Sequence, residues 1–158
     1  MNDESLQKAL NLSYFYLKFR PRTEQEIRDY LARKAQRFHF DENTIHDAVD
    51  RLKEEKLIND EEFISLYIRS KLTISHQSLN LIRSKLIKLG ISKHLITEYF
   101  DREEIDELEP AYQSIVRKWE RWSGLEPTAR RQKAYQFLVR RGFSYTIAKQ
   151  AVEKCVEG

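Results

Sequence analysis

Cysteine occurs once in this chain of 158 residues, at Cys155, and there are only four glycines and three prolines. A single cysteine closes no intramolecular disulfide, which fits a reducing, cytoplasmic setting. So few glycines and prolines leave little material for hairpin turns and argue against a sheet protein. No run of about 18 apolar residues exists, so no membrane-spanning helix is expected. The acidic start Met1-Asn2-Asp3-Glu4 is unlike the basic and apolar start of a signal peptide.

Catalytic patterns are also scarce. There is no glycine-rich phosphate loop. Four histidines are scattered at positions 39, 46, 76 and 94. His39 and His46, with Asp41 and Glu42 between them, match no zinc spacing. Cys155 has no recognisable histidine and acid partners to make it a nucleophile. No catalytic residue, metal site or cofactor is expected, and the chain does not read as an enzyme.

What is present favours helices. Leu, Ile, Lys, Arg and Glu are abundant, and 34% of residues are charged. The charge is unevenly spread. Residues 1–58 balance at 11 basic and 11 acidic residues. From Phe63 to Thr97 there are six basic residues and no acid. From Arg117 to Lys149 nine basic residues stand against two acids, a local +7. Such asymmetry suits a polyanion or an acidic protein surface, and equally a solvated helix face.

The sharpest local pattern is Leu138-Val139-Arg140-Arg141-Gly142-Phe143-Ser144-Tyr145-Thr146-Ile147. Gly142 can close a helix in the left-handed conformation, Phe143 plugs the turn, and Ser144 can cap the next helix. The same grammar occurs 52 residues earlier, with Leu86, Gly90, Ile91, Ser92 and Leu95 in the matching places. A fixed offset over a whole helix-turn-helix marks an internal repeat.

The apolar spacing extends that repeat along the chain. A first helix runs from about Ser5 to Phe19 and stops at Pro21. Thr23-Glu24-Gln25-Glu26 reads as a capping box for the second helix, and Asp41 or Asn43 starts the third. Asn59 or Asp60 caps a helix carrying Phe63, Ile64, Tyr67 and Ile68. Ser75 is expected to cap the next helix, which Gly90 ends. An acidic connector, Asp101 to Glu109, leads to the last unit. The predicted architecture is all-α, with three-helix repeats at 1–56, 57–105 and 106–158 docked end to end in an elongated, curved rod. In the first repeat the turn from Leu31 to Phe40 looks longer than in the other two.

The candidate binding residues are basic. Arg83, Lys85 and Lys88 fall between the inward Ile82, Leu86 and Leu89. Arg130, Arg131 and Lys133 head one helix, and Arg140 and Arg141 finish it. Each can hold a phosphate or a carboxylate, arginine through a bidentate fork. Trp119 and Trp122 could stack bases, but their spacing with Tyr112, Ile115 and Val116 favours core packing. Asp60, Phe63, Gly90, Gly142, Phe143 and Ser144 read as structural.

Four stretches in order resemble the bacterial RecX regulatory proteins, modulators of the recombinase RecA. They are Arg22-Thr23-Glu24-Gln25-Glu26-Ile27, Leu57-Ile58-Asn59-Asp60-Glu61-Glu62-Phe63, Ile82-Arg83-Ser84-Lys85-Leu86 continued by Lys88-Leu89-Gly90-Ile91, and Leu138-Val139-Arg140-Arg141-Gly142-Phe143-Ser144. The resemblance implies tandem three-helix repeats, which the periodicity reaches independently. It also implies a non-catalytic monomer that lies in the groove of a RecA filament on single-stranded DNA. There it would limit recombinase, ATPase and co-protease activity in DNA repair and the SOS response. Two departures stand out. Lys56 sits where the family often has glycine, and Thr73-Ile74-Ser75-His76-Gln77-Ser78 replaces a glycine-rich basic turn. The residues alone also allow a helix-turn-helix DNA reader, with weak direct DNA contact, or a plain helical scaffold for another protein.

Overall fold

The computed structural model describes residues 3–158. Among the described residues there are nine α-helices and no strand. They are α1 (Asp3–Leu17), α2 (Glu24–Phe38), α3 (Glu42–Glu54), α4 (Asp60–Thr73), α5 (Leu79–Lys88), α6 (Lys93–Arg102), α7 (Leu108–Arg121), α8 (Pro127–Arg140) and α9 (Tyr145–Glu157). The residues form two compact units. One comprises Met1–Ser65 and Leu86–Thr97, the other Leu66–Lys85 and Glu98–Gly158.

In the first unit α1, α2 and α3 enclose Ala9, Leu10, Ile27, Leu31, Val49 and Leu52. The start of α2 follows its sequence. The Thr23 hydroxyl accepts from the Glu26 amide at 3.1 Å, and the Glu26 carboxylate accepts from the Thr23 amide at 3.1 Å. These bonds satisfy amides that a helix start leaves without partners. Asp41 starts α3, accepting from the Thr44 amide at 2.7 Å. The core of the second unit is built from α7, α8 and α9, with Ile115, Trp119, Ala134, Leu138, Phe143 and Val152. Both tryptophans therefore belong to packing, Trp119 inside this core and Trp122 against it. Ser144 caps α9 by accepting from the Ile147 amide at 3.2 Å.

Two local expectations change. The helix after the first half of the second repeat begins at Leu79, and Ser78 caps it by accepting from the Leu81 amide at 3.1 Å. Ser75 lies in the turn between α4, which ends at Thr73, and α5, and His76 in that turn takes a left-handed φ of +50°. The turn of the first repeat is also no longer than the others. Phe40 donates to the Ala35 carbonyl at 3.0 Å, as Ile91 does to Leu86 at 3.2 Å and Phe143 to Leu138 at 3.1 Å. All three close a helix with the same bond, and Phe40, Ile91 and Phe143 are each buried beneath it.

A candidate partner-binding surface

The glycine turns are seated on helix starts. In the first unit the Thr23 hydroxyl donates to the Leu89 carbonyl at 2.6 Å. The Asp60 carboxylate accepts from the Glu24 amide at 3.0 Å. The second unit repeats the arrangement with other residues. The Ser78 hydroxyl donates to the Arg141 carbonyl at 3.0 Å, and the Glu107 carboxylate accepts from the Leu79 amide at 3.0 Å. Asn80 adds a bond from its side-chain amide to the Gly142 carbonyl at 3.0 Å. Each capping hydroxyl thus serves two partners, its own helix and the turn laid against it.

This seating explains the glycines. Gly90 has φ +92° and Gly142 φ +95°, which favours glycine. A Cβ on Gly142 would also stand 2.5 Å from the Ser78 Oγ, and one on Gly90 would overlap the side chain of Gln25. The matching residue of the first repeat, His39, adopts φ +58° with its side chain exposed. Asp60 and Glu107 are partly buried at these joints, and desolvation raises the pKa of both carboxyls above the usual range. Asp60 thus caps α2; Asn59 caps its own helix, accepting from the Glu62 amide at 3.1 Å. Phe63 is buried.

The predicted basic residues divide by what they touch. On α5, Arg83 is half-buried with its guanidinium 6.0 Å from the Phe100 ring centre. Lys85 donates to the Gln77 side chain at 3.3 Å, and Lys88 is exposed at the helix end. A spacing of two and five residues carries Arg83 to a different side of the helix from Lys85 and Lys88, so the three do not share one face.

On α8 the grouping is tighter. Arg130 stacks 3.8 Å from the Trp119 ring centre and donates twice to the Trp119 carbonyl, at 3.0 and 2.6 Å. That carbonyl lies near the end of α7, where intrahelical donors run out, so Arg130 is first of all a structural residue. Three residues on, Lys133 lies 5.1 Å from the Trp122 ring centre. Phe137 is flanked by Lys118 at 4.9 Å and Arg141 at 5.5 Å. Arg140 is exposed in the last turn. Arg131 instead pairs with Glu153 at 2.7 Å. The result is a stripe along α7 and α8 in which rings hold Lys118, Arg130, Lys133 and Arg141 in place. A ring fixes a cation without cancelling its charge, so an incoming carboxylate or phosphate still meets it.

Sequence reading missed the joint partners Thr23, Ser78, Asn80 and Glu107, because a capping residue looks the same whether it serves one chain segment or two. Glu107 was legible only as part of an acidic connector. Reading charge over 58 residues also concealed a local run. From Tyr30 to Phe40 there is no acid, against Arg33, Lys34, Arg37 and His39. Among the described residues no helix is long and apolar enough to cross a membrane.

Comparison with known proteins agrees with this architecture. Residues 9–52 match the model of the first RecX three-helix domain, and residues 104–152 that of the third. The regulatory protein RecX of Bacillus cytotoxicus is 27% identical over 159 residues, covering 98% of this chain and 56% of that protein. RecX of Streptococcus gordonii is 30% identical over 144 residues, covering 90% of this chain and 54% of the relative. The chain thus spans about half the length of the curated relatives it matches. A crystal structure of RecX from Lactobacillus salivarius superposes with TM-score 0.84 at 23% identity, covering 99% of this chain and 100% of that one. A second RecX crystal structure gives 0.73 at 22% identity, over 94% and 72%. With two domain models matched and relatives covering nearly the whole chain, the protein belongs to the RecX family of regulatory proteins.

Proposed function

We propose that the protein is a non-catalytic, cytoplasmic monomer that binds the RecA recombinase and its filament on single-stranded DNA. It restrains ATP hydrolysis, strand exchange and co-protease activity in DNA repair and the SOS response. Family membership supports the regulatory role. The observation that carries the choice of surface is the α7–α8 stripe, where Lys133 and Arg141 lie over rings and Arg140 is exposed. Such fixed cations suit acidic protomer surfaces or phosphates in the filament groove. Arg83, Lys85 and Lys88 are the second candidate set, and the repeats at 57–105 and 106–158 are the proposed carriers. Binding spread over several protomers would favour filament over free subunit through effective concentration.

The test measures RecA ATP hydrolysis on single-stranded DNA with Lys133→Glu/Arg140→Glu, and separately with Arg83→Glu/Lys85→Glu/Lys88→Glu. Retention of the protein on immobilised RecA, with and without DNA, is the companion readout. Wild type should be retained and should slow hydrolysis, and at least one charge-reversed variant should lose both effects with its helical signal intact. No retention of wild type in any condition would remove the RecA assignment. Full inhibition by both variants would remove the assignment of these faces.

A further inference from the structure

We propose that the first unit carries a binding site for single-stranded nucleic acid on the outer face of α1 and α2. Four cations define it. Lys8 lies 5.2 Å and Arg37 5.3 Å from the Phe38 ring centre. Lys34 and Arg33 lie 5.6 and 6.0 Å from that of Tyr30. Among the described residues, the partner of each is a ring and not a carboxylate. Tyr30 is itself fixed by stacking on Tyr16, with centres 4.1 Å apart and planes 6° from parallel. Charges held this way remain available to an incoming polyanion. Of the acids nearby, Glu26 pairs with Arg20, while Asp29 accepts from the neutral Gln25 side chain at 2.9 Å and keeps its charge.

Two exposed rings determine the class of ligand. Phe15 and Phe19 are 56% and 68% exposed and meet edge to face with centres 5.2 Å apart. A spacing of seven residues puts Phe15 on the same side of α1 as Lys8, and Phe19, two residues past the end of α1, meets Phe15 ring to ring. Phenylalanine contributes more to stability when buried, so this exposed pair needs a partner with flat apolar faces. Unpaired bases have them, and base–ring stacking beside a cationic track is how single strands are held. A duplex hides those faces. An acidic protein segment would use the cations and leave the rings idle.

The site is independent of the proposed RecA contact, and its test contains no RecA. Fluorescence anisotropy of a labelled 20-nucleotide oligo(dT) is followed on the full chain, with the duplex and poly-glutamate as competitors. Oligo(dT) should bind with an affinity that falls as salt rises. Arg33→Glu/Lys34→Glu/Arg37→Glu should abolish it. Phe15→Ser/Phe19→Ser should weaken oligo(dT) by about fivefold or more, with poly-glutamate competition unchanged. Both changes are at exposed or half-exposed positions, and circular dichroism melts report that each variant is folded. Oligo(dT) affinity indifferent to the phenylalanines, or a duplex or poly-glutamate that competes as well as oligo(dT) itself, would overturn the proposal in favour of charge-only binding. Retention of either variant on RecA without DNA separates this result from the RecA assignment.

Discussion

Replacing Gly142 with alanine tests the joint directly. At φ +95° an alanine is in a region that costs an L-residue roughly 1–2 kcal/mol. Its Cβ would stand 2.5 Å from the Ser78 Oγ, so the hydroxyl must turn away. That breaks the bond to the Arg141 carbonyl and endangers the cap on Leu81. Each lost bond is worth about 1 kcal/mol, and more where a buried group is left unpaired. The total is about 3–4 kcal/mol for G142A, a large part of the 5–15 kcal/mol by which a domain is ordinarily stable. In an S78A background the clash is gone, because the Ser78 Cβ is 3.6 Å away, at ordinary contact distance. There the glycine substitution should cost only the backbone strain. The two changes should therefore couple by about 1–2 kcal/mol, where independent sites add. Trp119 and Trp122 lie in the same unit and report urea unfolding by their fluorescence. Additive costs, or a G142A cost below about 1 kcal/mol, would refute the claim that close approach, as well as φ, demands this glycine.

Three further outcomes follow from the same geometry. Lys56 holds φ +61°, so Lys56→Gly should raise the unfolding midpoint by the equivalent of up to about 1 kcal/mol, net of glycine's greater freedom when unfolded; a lower midpoint contradicts this. Burial raises the Asp60 and Glu107 carboxyls. The folded chain therefore holds those protons more tightly, and stability is gained as pH falls through the raised values towards the ordinary carboxylate range near about 4. Asp60→Asn and Glu107→Gln keep an accepting oxygen, so they should be as stable as wild type or more so at pH ~7 and should lose part of that gain in a pH series of melts. Arg130→Lys keeps the charge but loses the stacking and the paired bonds to Trp119. It should lower stability by about 1–2 kcal/mol, whereas Arg140→Lys, at an exposed position, should leave the midpoint unchanged.

How far the fold could be read ahead depended on which interactions are local. The capping box at Thr23 and Glu26 and the caps at Asp41 and Ser144 involve residues three apart, and their sequence spacing was enough to find them. Ala35 was harder. It stands where Leu86 and Leu138 mark the other turns, and with His39 in place of glycine the first joint lost both of its markers. The partner surface was legible as charge but not as arrangement. Arg130 and Arg131 are neighbours in sequence, yet one seals the end of α7 and the other pairs with Glu153. Nothing in their order distinguishes them, because the difference lies in which rings and acids the other helices bring near.

The joint also has two unequal halves. A hydroxyl and a free amide at a helix start form one half; a carboxylate and a carbonyl beside a left-handed glycine form the other. The first repeat has only the former, in Thr23 and Glu24. The third has the latter, in Glu107 and Arg141-Gly142, while Pro127 at the start of α8 has no amide hydrogen to offer. The second has both, with Asp60 and Leu89-Gly90 on one side and Ser78-Leu79 on the other. Among the described residues it is therefore the only segment whose tandem duplication would create a new joint with every donor matched to an acceptor. Gene-level lengthening of such an array would be expected to copy the middle, and a library of chains with two or three copies of it would show whether the matched bonds alone are enough to propagate the fold.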